Sequence, residues 1–232
     1  MNSAREKSGV PKVLAKYLLA VVFGSLGLAF AFYSLRFGAR GLVTDLSQET
    51  YIYTPNGVAT NLAIFSHMAV GALLMVVAPL QLVGRIRSRH PAVHRVTGRC
   101  LIVGSVLVAL GGLAYIASRG TVAGPLMDVG FALYGALMLT AALQALRHAR
   151  AGNYARHADW ALRLFVLIMG SLLYRLHYAF WYLLTDGLWS NKETLDGPFD
   201  QIQYFAFYLP YLAVLEIWLR RRPATAAERG AV

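Results

Sequence analysis

Four of the six histidines lie inside or at the edge of long apolar stretches, where an imidazole is able to bind a ligand. They are His67, His94, His157 and His177. Ionisable side chains are expensive in lipid and usually functional there, and helices of a membrane bundle can each present one axial histidine to haem iron. The sequence therefore indicates ligation of a b-type haem as one function of these histidines. Interhelical hydrogen bonds or contacts with the membrane interface are the ordinary alternative. His90 and His148 lie in basic loops, and we expect both to be solvated.

Arginines near these histidines could bind haem propionates or other anions. They are Arg95, Arg99, Arg163 and Arg175. No metalloprotease, phosphate-loop, nucleophile-elbow or dinucleotide motif is present in the sequence, so we name no catalytic residue and expect no metal beyond haem iron. The single cysteine, Cys100, excludes an internal disulfide.

The elements that must position these side chains are membrane-spanning helices. The 232-residue chain is 57% hydrophobic and 14% charged, with a mean hydropathy of +0.51, whereas soluble domains carry about 25% charged residues. Six stretches reach the roughly 20 residues that cross the hydrocarbon core of a bilayer. We place them at residues 14–35, 61–84, 97–118, 127–147, 161–184 and 202–219. This predicts an all-α membrane bundle of six spans. The transmembrane domain covers residues 13–222, between polar tails at 1–12 and 223–232.

The distribution of Lys and Arg predicts how the chain is oriented, because cytoplasmic loops carry an excess of both residues. Most of the 22 Lys and Arg residues fall on the side of the two termini and of the loops around residues 85–99 and 147–163. We therefore expect both termini in the cytoplasm. This orientation and anionic lipid headgroups explain the net charge of +11, so we expect no nucleic-acid partner.

This orientation sorts the four histidines by leaflet. His94 opens the third span and His157 opens the fifth, both from the inner side. His67 lies about two turns into the second span from the outer side. His177 lies 20 residues beyond His157 on the same helix, which is roughly 30 Å. The sequence thus offers an inner pair, His94 with His157, and an outer pair, His67 with His177.

Small residues follow two of these histidines on the same helical face. Gly71 stands four residues after His67, and Gly98 stands four residues after His94. Seven residues further along, each helix has another small residue, Ala78 in the first case and Ser105 in the second. Steps of four and seven keep these residues on one helical face. The pattern is typical of close helix packing in membranes. It is also compatible with a flat ligand lying against the helix.

One set of residues resembles a known family. It comprises His67-x3-Gly71, Ala78-Pro79-Leu80-Gln81, His94-Arg95-x2-Gly98-Arg99, His157-x2-Trp160-x2-Arg163 and Arg175. These motifs resemble the bacterial membrane-protein family labelled domain of unknown function 2306, over about residues 60–180. The resemblance implies a polytopic protein of the bacterial inner membrane and implies no activity. Ala78 and Cys100 stand where the family usually has a glycine and an aromatic residue, and His177 is outside the motif.

A second resemblance is to cytochrome b561-type membrane cytochromes, which hold haem in a four-helix core with histidines near both leaflets. It implies a four-helix core from spans 2 to 5, with ligands from the third and fifth spans, which fits His94 and His157. It also implies ligands from the second and fourth spans, where His67 has no histidine opposite it.

Three functions remain open. The first is a b-type haem protein or subunit that transfers electrons between a quinol or a cytoplasmic donor and an outer acceptor. The second is an accessory or assembly subunit of a larger membrane complex, or a transporter. The transporter is less favoured, because we expect no span to be broken by Gly or Pro. The third is a lipid- or quinone-modifying enzyme with His67 or His157 as its acid–base group.

Overall fold

The computed structural model describes residues 9–222. All regular secondary structure in this part of the chain is helical, and loops connect the helices. The helices are α1 (Gly9–Val43), α2 (Val58–Gln81), α3 (Gly84–Arg89), α4 (Pro91–Arg119), α5 (Pro125–Arg150), α6 (Tyr154–Thr185), α7 (Pro198–Ala206) and α8 (Leu209–Arg221). Within these residues six helical segments are long and apolar enough to cross a membrane, with α7 and α8 together forming the sixth. The predicted six-span all-α class is confirmed.

The first helix extends beyond the predicted span at both ends. It begins at Gly9 and ends at Val43, so residues 9–12 belong to a helix and not to a polar tail. The rest of that predicted tail, residues 1–8, and the predicted tail 223–232 lie outside the described residues. Because α1 continues to Val43, the loop that follows it is short and runs over residues 44–57. We name this loop, and the end of the bundle at which it lies, outer after the orientation that the sequence predicts.

Spans 2 to 5 form the four-helix core that the sequence predicts. Helix α2 packs on α4, α4 on α5 and α5 on α6, and a smaller contact between α6 and α2 closes the ring. Helices α4 and α6 therefore occupy diagonal corners, as do α2 and α5. Helix α1 packs against α2 outside the ring, α7 covers α5, and α8 contacts α6.

The sixth span is interrupted, which corrects the expectation of unbroken spans. Helix α7 ends at Ala206 and α8 begins at Leu209. Pro210 has no backbone N–H to donate to the preceding turn, so the helix cannot continue through this point. Phe207 and Tyr208 fill the break as buried side chains, and the hydroxyl of Tyr208 donates to the carbonyl of Gly130 at 3.0 Å.

Glycines set the distance between neighbouring helices. A Cβ atom built on Gly38, Gly111 or Gly130 would lie 2.8 Å from a carbonyl oxygen of the facing helix. These three glycines belong to the α1–α2, α2–α4 and α5–α7 contacts, respectively. Lipid tails are as apolar as leucine, so association of helices in a membrane depends on such close van der Waals packing.

Replacing Gly111 by alanine tests this packing. The added methyl group meets the rigid backbone carbonyl of Ala63 at 2.8 Å, so α2 and α4 must move apart, and we expect a loss of about 1–3 kcal/mol. Gly24→Ala is the matched control, because a Cβ there meets nothing within 4 Å. Thermal unfolding of detergent-purified protein should show a lower midpoint for Gly111→Ala and an unchanged or higher midpoint for Gly24→Ala. Equal midpoints would contradict the packing argument.

Candidate functional site

A cavity of about 270 Å³ lies within the outer half of the bundle. Helices α1, α2, α4, α5 and α6 form its walls. Its roof comes from the three outer loops, with Tyr51 and Ile52 from the first, Thr121 and Val122 from the second, and Leu195 from the third. Five helices and three loops that are distant in sequence therefore meet around one space.

The walls of the cavity are mainly apolar, and ten of their side chains are aromatic rings or methionines. These side chains are Phe30, Tyr115, Phe131, Tyr134, Tyr174, Phe207, Met68, Met75, Met127 and Met138. Thioethers are flexible and polarisable and make favourable contacts with aromatic rings. The surface is therefore suited to an aromatic guest, and few polar side chains interrupt it.

His67 is the polar group of the cavity whose orientation is best defined. Its Nδ1 lies 2.6 Å from the carbonyl oxygen of Val108 on α4. A carbonyl oxygen can only accept, so Nδ1 carries the proton and the neutral ring has its lone pair on Nε2. Nε2 has no hydrogen-bond partner within residues 9–222, and the imidazole lines the cavity. The cavity therefore contains one oriented acceptor.

Two glycines make room around this imidazole. A Cβ on Gly112 would lie 3.1 Å from Nδ1 of His67, so the absence of a side chain lets the ring reach the Val108 carbonyl. A Cβ on Gly71 would meet nothing nearer than Val108 at 4.0 Å, so Gly71 opens onto the cavity. The sequence left two explanations for the small residues, close helix packing and space for a ligand. Gly71 and Gly112 agree with space for a ligand, whereas Gly111 agrees with close helix packing.

Arg175 lines the same cavity from α6. Its guanidinium carbon lies 5.6 Å from the ring centre of Tyr174 and 5.9 Å from that of Phe30. It forms no ion pair with any residue that the structure describes. A charged side chain within a span is costly unless it finds polar or charged partners, so Arg175 favours an oxygen-rich group beside it.

The first outer loop is fastened to α4, which fixes the roof. Nη1 of Arg119 donates to the carbonyl of Tyr53 at 2.8 Å and to the hydroxyl of Thr54 at 2.6 Å. The hydroxyl of Tyr115 donates to the carbonyl of Ile52 at 3.3 Å. Burial raises the pKa of the Tyr51 phenol, despite the opposing charge of Arg175. Tyr51 therefore stays neutral at physiological pH and keeps a proton to donate.

The third outer loop is held by a buried carboxylate that the sequence analysis missed. Asp200 is fully buried and accepts from the hydroxyls of Tyr178 and Ser190, both at 2.7 Å. It also accepts from the N–H groups of Asn191 at 2.8 Å and Gly197 at 3.0 Å. An acidic residue at the third position of a helix that begins with proline was the available signal.

His177 does not join His67. Its Nδ1 lies 3.1 Å from the side-chain oxygen of Gln203, and its Nε2 lies 2.6 Å from the hydroxyl of Tyr211. Both ring nitrogens are engaged, because α7 and α8 present polar groups to this face of α6. His177 therefore does not line the cavity around His67 in this structure, and its role as a haem ligand stays a prediction.

His94 and His157 lie at the same end of the bundle. His94 is in the first turn of α4 and His157 is in the first turn of α6. Nδ1 of His157 lies 2.9 Å from the carbonyl oxygen of Ala145, which leaves Nε2 with the lone pair. Nδ1 of His94 is buried without a hydrogen-bond partner in the described part of the chain.

The inner arginines differ in what they contact. Arg163 is paired with Glu216, with Nε–Oε1 at 2.5 Å and Nη2–Oε2 at 3.0 Å, and its guanidinium lies over the ring of Trp160. It is therefore not free to bind a propionate as the sequence suggested. Arg95 and Arg99 are exposed on α4.

Asp159 is paired with Arg222. The ion pair joins α6 to the residue that follows α8, a contact between positions 63 residues apart.

Comparison with known proteins identifies a family. The model of the family described as predicted membrane protein (DUF2306) matches residues 64–218, which is more than half of the chain and includes all four histidines considered above. No curated protein and no solved structure matches the chain.

Proposed function

The chain belongs to the DUF2306 family of predicted membrane proteins, and we propose that it binds a b-type haem and transfers electrons within the membrane. The proposed iron ligands are His94 and His157. The observation that carries the proposal is that these two imidazoles stand in the first turns of diagonal helices, at the same end of a four-helix core. A bundle of this kind can present one axial ligand from each of two facing helices.

The hydrogen bond of His157 supports its role as a ligand. Metal-bound histidines usually donate their second ring N–H to a carbonyl or carboxylate, which fixes the ring and its tautomer. His157 has this arrangement with the carbonyl oxygen of Ala145. Its Nε2 is therefore held as an acceptor.

His94 supports the proposal in a different way. A buried polar atom without a partner costs about 1–3 kcal/mol, and Nδ1 of His94 is such an atom. A group bound between the two imidazoles would offset this cost if it engages Nδ1 of His94 itself.

The remaining residues of the site have supporting roles. Arg95 and Arg99 project from the helix that carries His94 and are exposed, so they are the candidates for propionate contacts. Arg163 is paired with Glu216 and instead joins α6 to α8. The haem, when bound, would supply reversible one-electron chemistry, and the chain would orient it and exclude water.

The distribution of positive charge supports cytoplasmic termini in a bacterial inner membrane. In this orientation His94 and His157 lie near the cytoplasmic leaflet, and the cavity around His67 faces the outer leaflet.

Visible absorption spectra test the haem proposal. Protein expressed with added haem precursor and purified in detergent should show a Soret band with the shift on reduction that is typical of b-type haem. His94→Ala and His157→Ala should each lose most of this band, because each removes an axial ligand. His177→Ala and His90→Ala are the matched controls and should retain it. A wild-type protein without the band, or His94→Ala and His157→Ala variants that keep it, would overturn the proposal.

Cysteine accessibility tests the orientation. In a Cys100→Ala background, Gln48→Cys places a thiol in the first outer loop, and Ser88→Cys places one on α3, with both positions exposed. A membrane-impermeant maleimide added to intact cells should label Gln48→Cys and leave Ser88→Cys unlabelled until the cells are opened. Labelling in the reverse order would contradict cytoplasmic termini.

A further inference from the structure

We propose that the outer cavity binds the head of a hydroquinone-type amphiphile, that is, an aromatic ring with hydroxyl groups on an apolar tail. The site is formed by His67, Arg175 and Tyr51 and lies apart from the inner histidine pair. The proposal does not depend on haem binding.

The volume of the cavity matches a single substituted ring. A cavity of about 150 Å³ in a protein core is enough to bind benzene, and this cavity measures about 270 Å³. The additional space accommodates ring substituents, which a hydroquinone carries. A macrocycle of four linked rings needs more room than this, so the cavity does not suit a tetrapyrrole.

The walls favour an aromatic guest over a saturated acyl chain. Seven aromatic side chains, Tyr51 included, and four methionines line the space among aliphatic residues. Ring faces and edges attract other rings by about 0.5–1.5 kcal/mol beyond the area they bury, and thioether contacts with rings add to this. A hydrocarbon chain would bury the same area without these ring–ring and thioether–ring attractions.

The polar groups of the cavity require a ligand that both donates and accepts. Nε2 of His67 accepts only, because the Val108 carbonyl holds the ring proton on Nδ1. Arg175 and the neutral hydroxyl of Tyr51 donate, and both line the same space. A hydroquinone hydroxyl satisfies both requirements, since its hydrogen can bond to His67 and its oxygens can accept from Arg175 and Tyr51.

The ligand can reach the site from the outer leaflet. Tyr51 is 51% exposed and also lines the cavity, so the space extends to the rim of the protein. Arg175 lies ten residues before the outer end of α6, a depth of about 15 Å at 1.5 Å per residue. A polar head at this depth leaves its tail among the lipid chains.

Binding of a reduced and an oxidised probe tests the proposal. Protein in nanodiscs of pure dioleoyl phosphatidylcholine is titrated calorimetrically with decylubiquinol and with decylubiquinone, which lacks hydroxyl hydrogens. We expect decylubiquinol to bind about tenfold more tightly, because only the reduced ring can donate to the otherwise unpaired Nε2 of His67. His67→Ala should remove this difference. His90→Ala, an exposed inner-side histidine, is the control and should retain it.

A cavity-filling variant separates binding in the cavity from partition into lipid. Gly71→Leu places a side chain into the open space without removing a polar group, and leucine is a better helix former than glycine. We expect it to weaken binding of both probes at least tenfold while the protein remains monodisperse. Binding should be unchanged in the His94→Ala/His157→Ala double variant, so failure of the haem proposal would leave this one standing.

Three outcomes would overturn the proposal. In the first, wild-type protein binds neither probe because phospholipid chains occupy the cavity. In the second, the His67→Ala variant still binds decylubiquinol more tightly than decylubiquinone. In the third, the Gly71→Leu variant binds the probes as tightly as wild-type protein.

Discussion

Contact between backbones at glycine is the interaction on which the rest of this structure depends. Helices in a bilayer gain nothing from hiding apolar side chains from one another, so their association relies on close approach and on interhelical hydrogen bonds. At Gly38, Gly111 and Gly130 the facing carbonyl oxygen leaves no space for a Cβ atom. Gly111 sets the distance between α2 and α4 inside the ring of four core helices, and Gly38 and Gly130 bring α1 and α7 against that ring. This packing determines which side chains of separate spans can meet.

The same spacing allows histidine side chains to reach across to a neighbouring helix. His67 reaches the carbonyl of Val108, and His157 reaches the carbonyl of Ala145. A backbone carbonyl cannot donate, so each bond fixes the tautomer and leaves Nε2 as an acceptor. The bundle thus presents two oriented imidazoles near opposite ends. One faces an aromatic cavity, and the other lies at the same end of the bundle as a second histidine.

Hydropathy was sufficient to predict the six spans, because an apolar stretch of about 20 residues has few alternatives to a spanning helix. The core built from spans 2 to 5 was implied by the resemblances to known families. The leaflet of each histidine, inferred from the positions of Lys and Arg, stays a prediction. Span boundaries were less accurate. Helix α1 continues to Val43 through residues that the sequence analysis assigned to a loop.

The partners of each polar side chain could not be predicted, because they come from positions far apart in the chain. His177 meets Tyr211 across 34 residues, and Arg163 meets Glu216 across 53. These contacts depend on how α7 and α8 pack over α5 and α6, which no local pattern encodes. The interruption of the sixth span could have been anticipated from Pro210, whose missing N–H was visible in the sequence.

The most direct test of the histidine–carbonyl arrangement is the tautomeric state of His67. A nitrogen-15 NMR spectrum of protein with labelled histidine, recorded at a pH well above the usual histidine pKa of about 6.5, distinguishes a protonated Nδ1 from a protonated Nε2. Comparison with His67→Ala assigns the signal. We predict that the proton is on Nδ1 and that Nε2 is unprotonated. A neutral His67 with its proton on Nε2 would contradict the hydrogen bond to Val108 and the orientation of the imidazole towards the cavity.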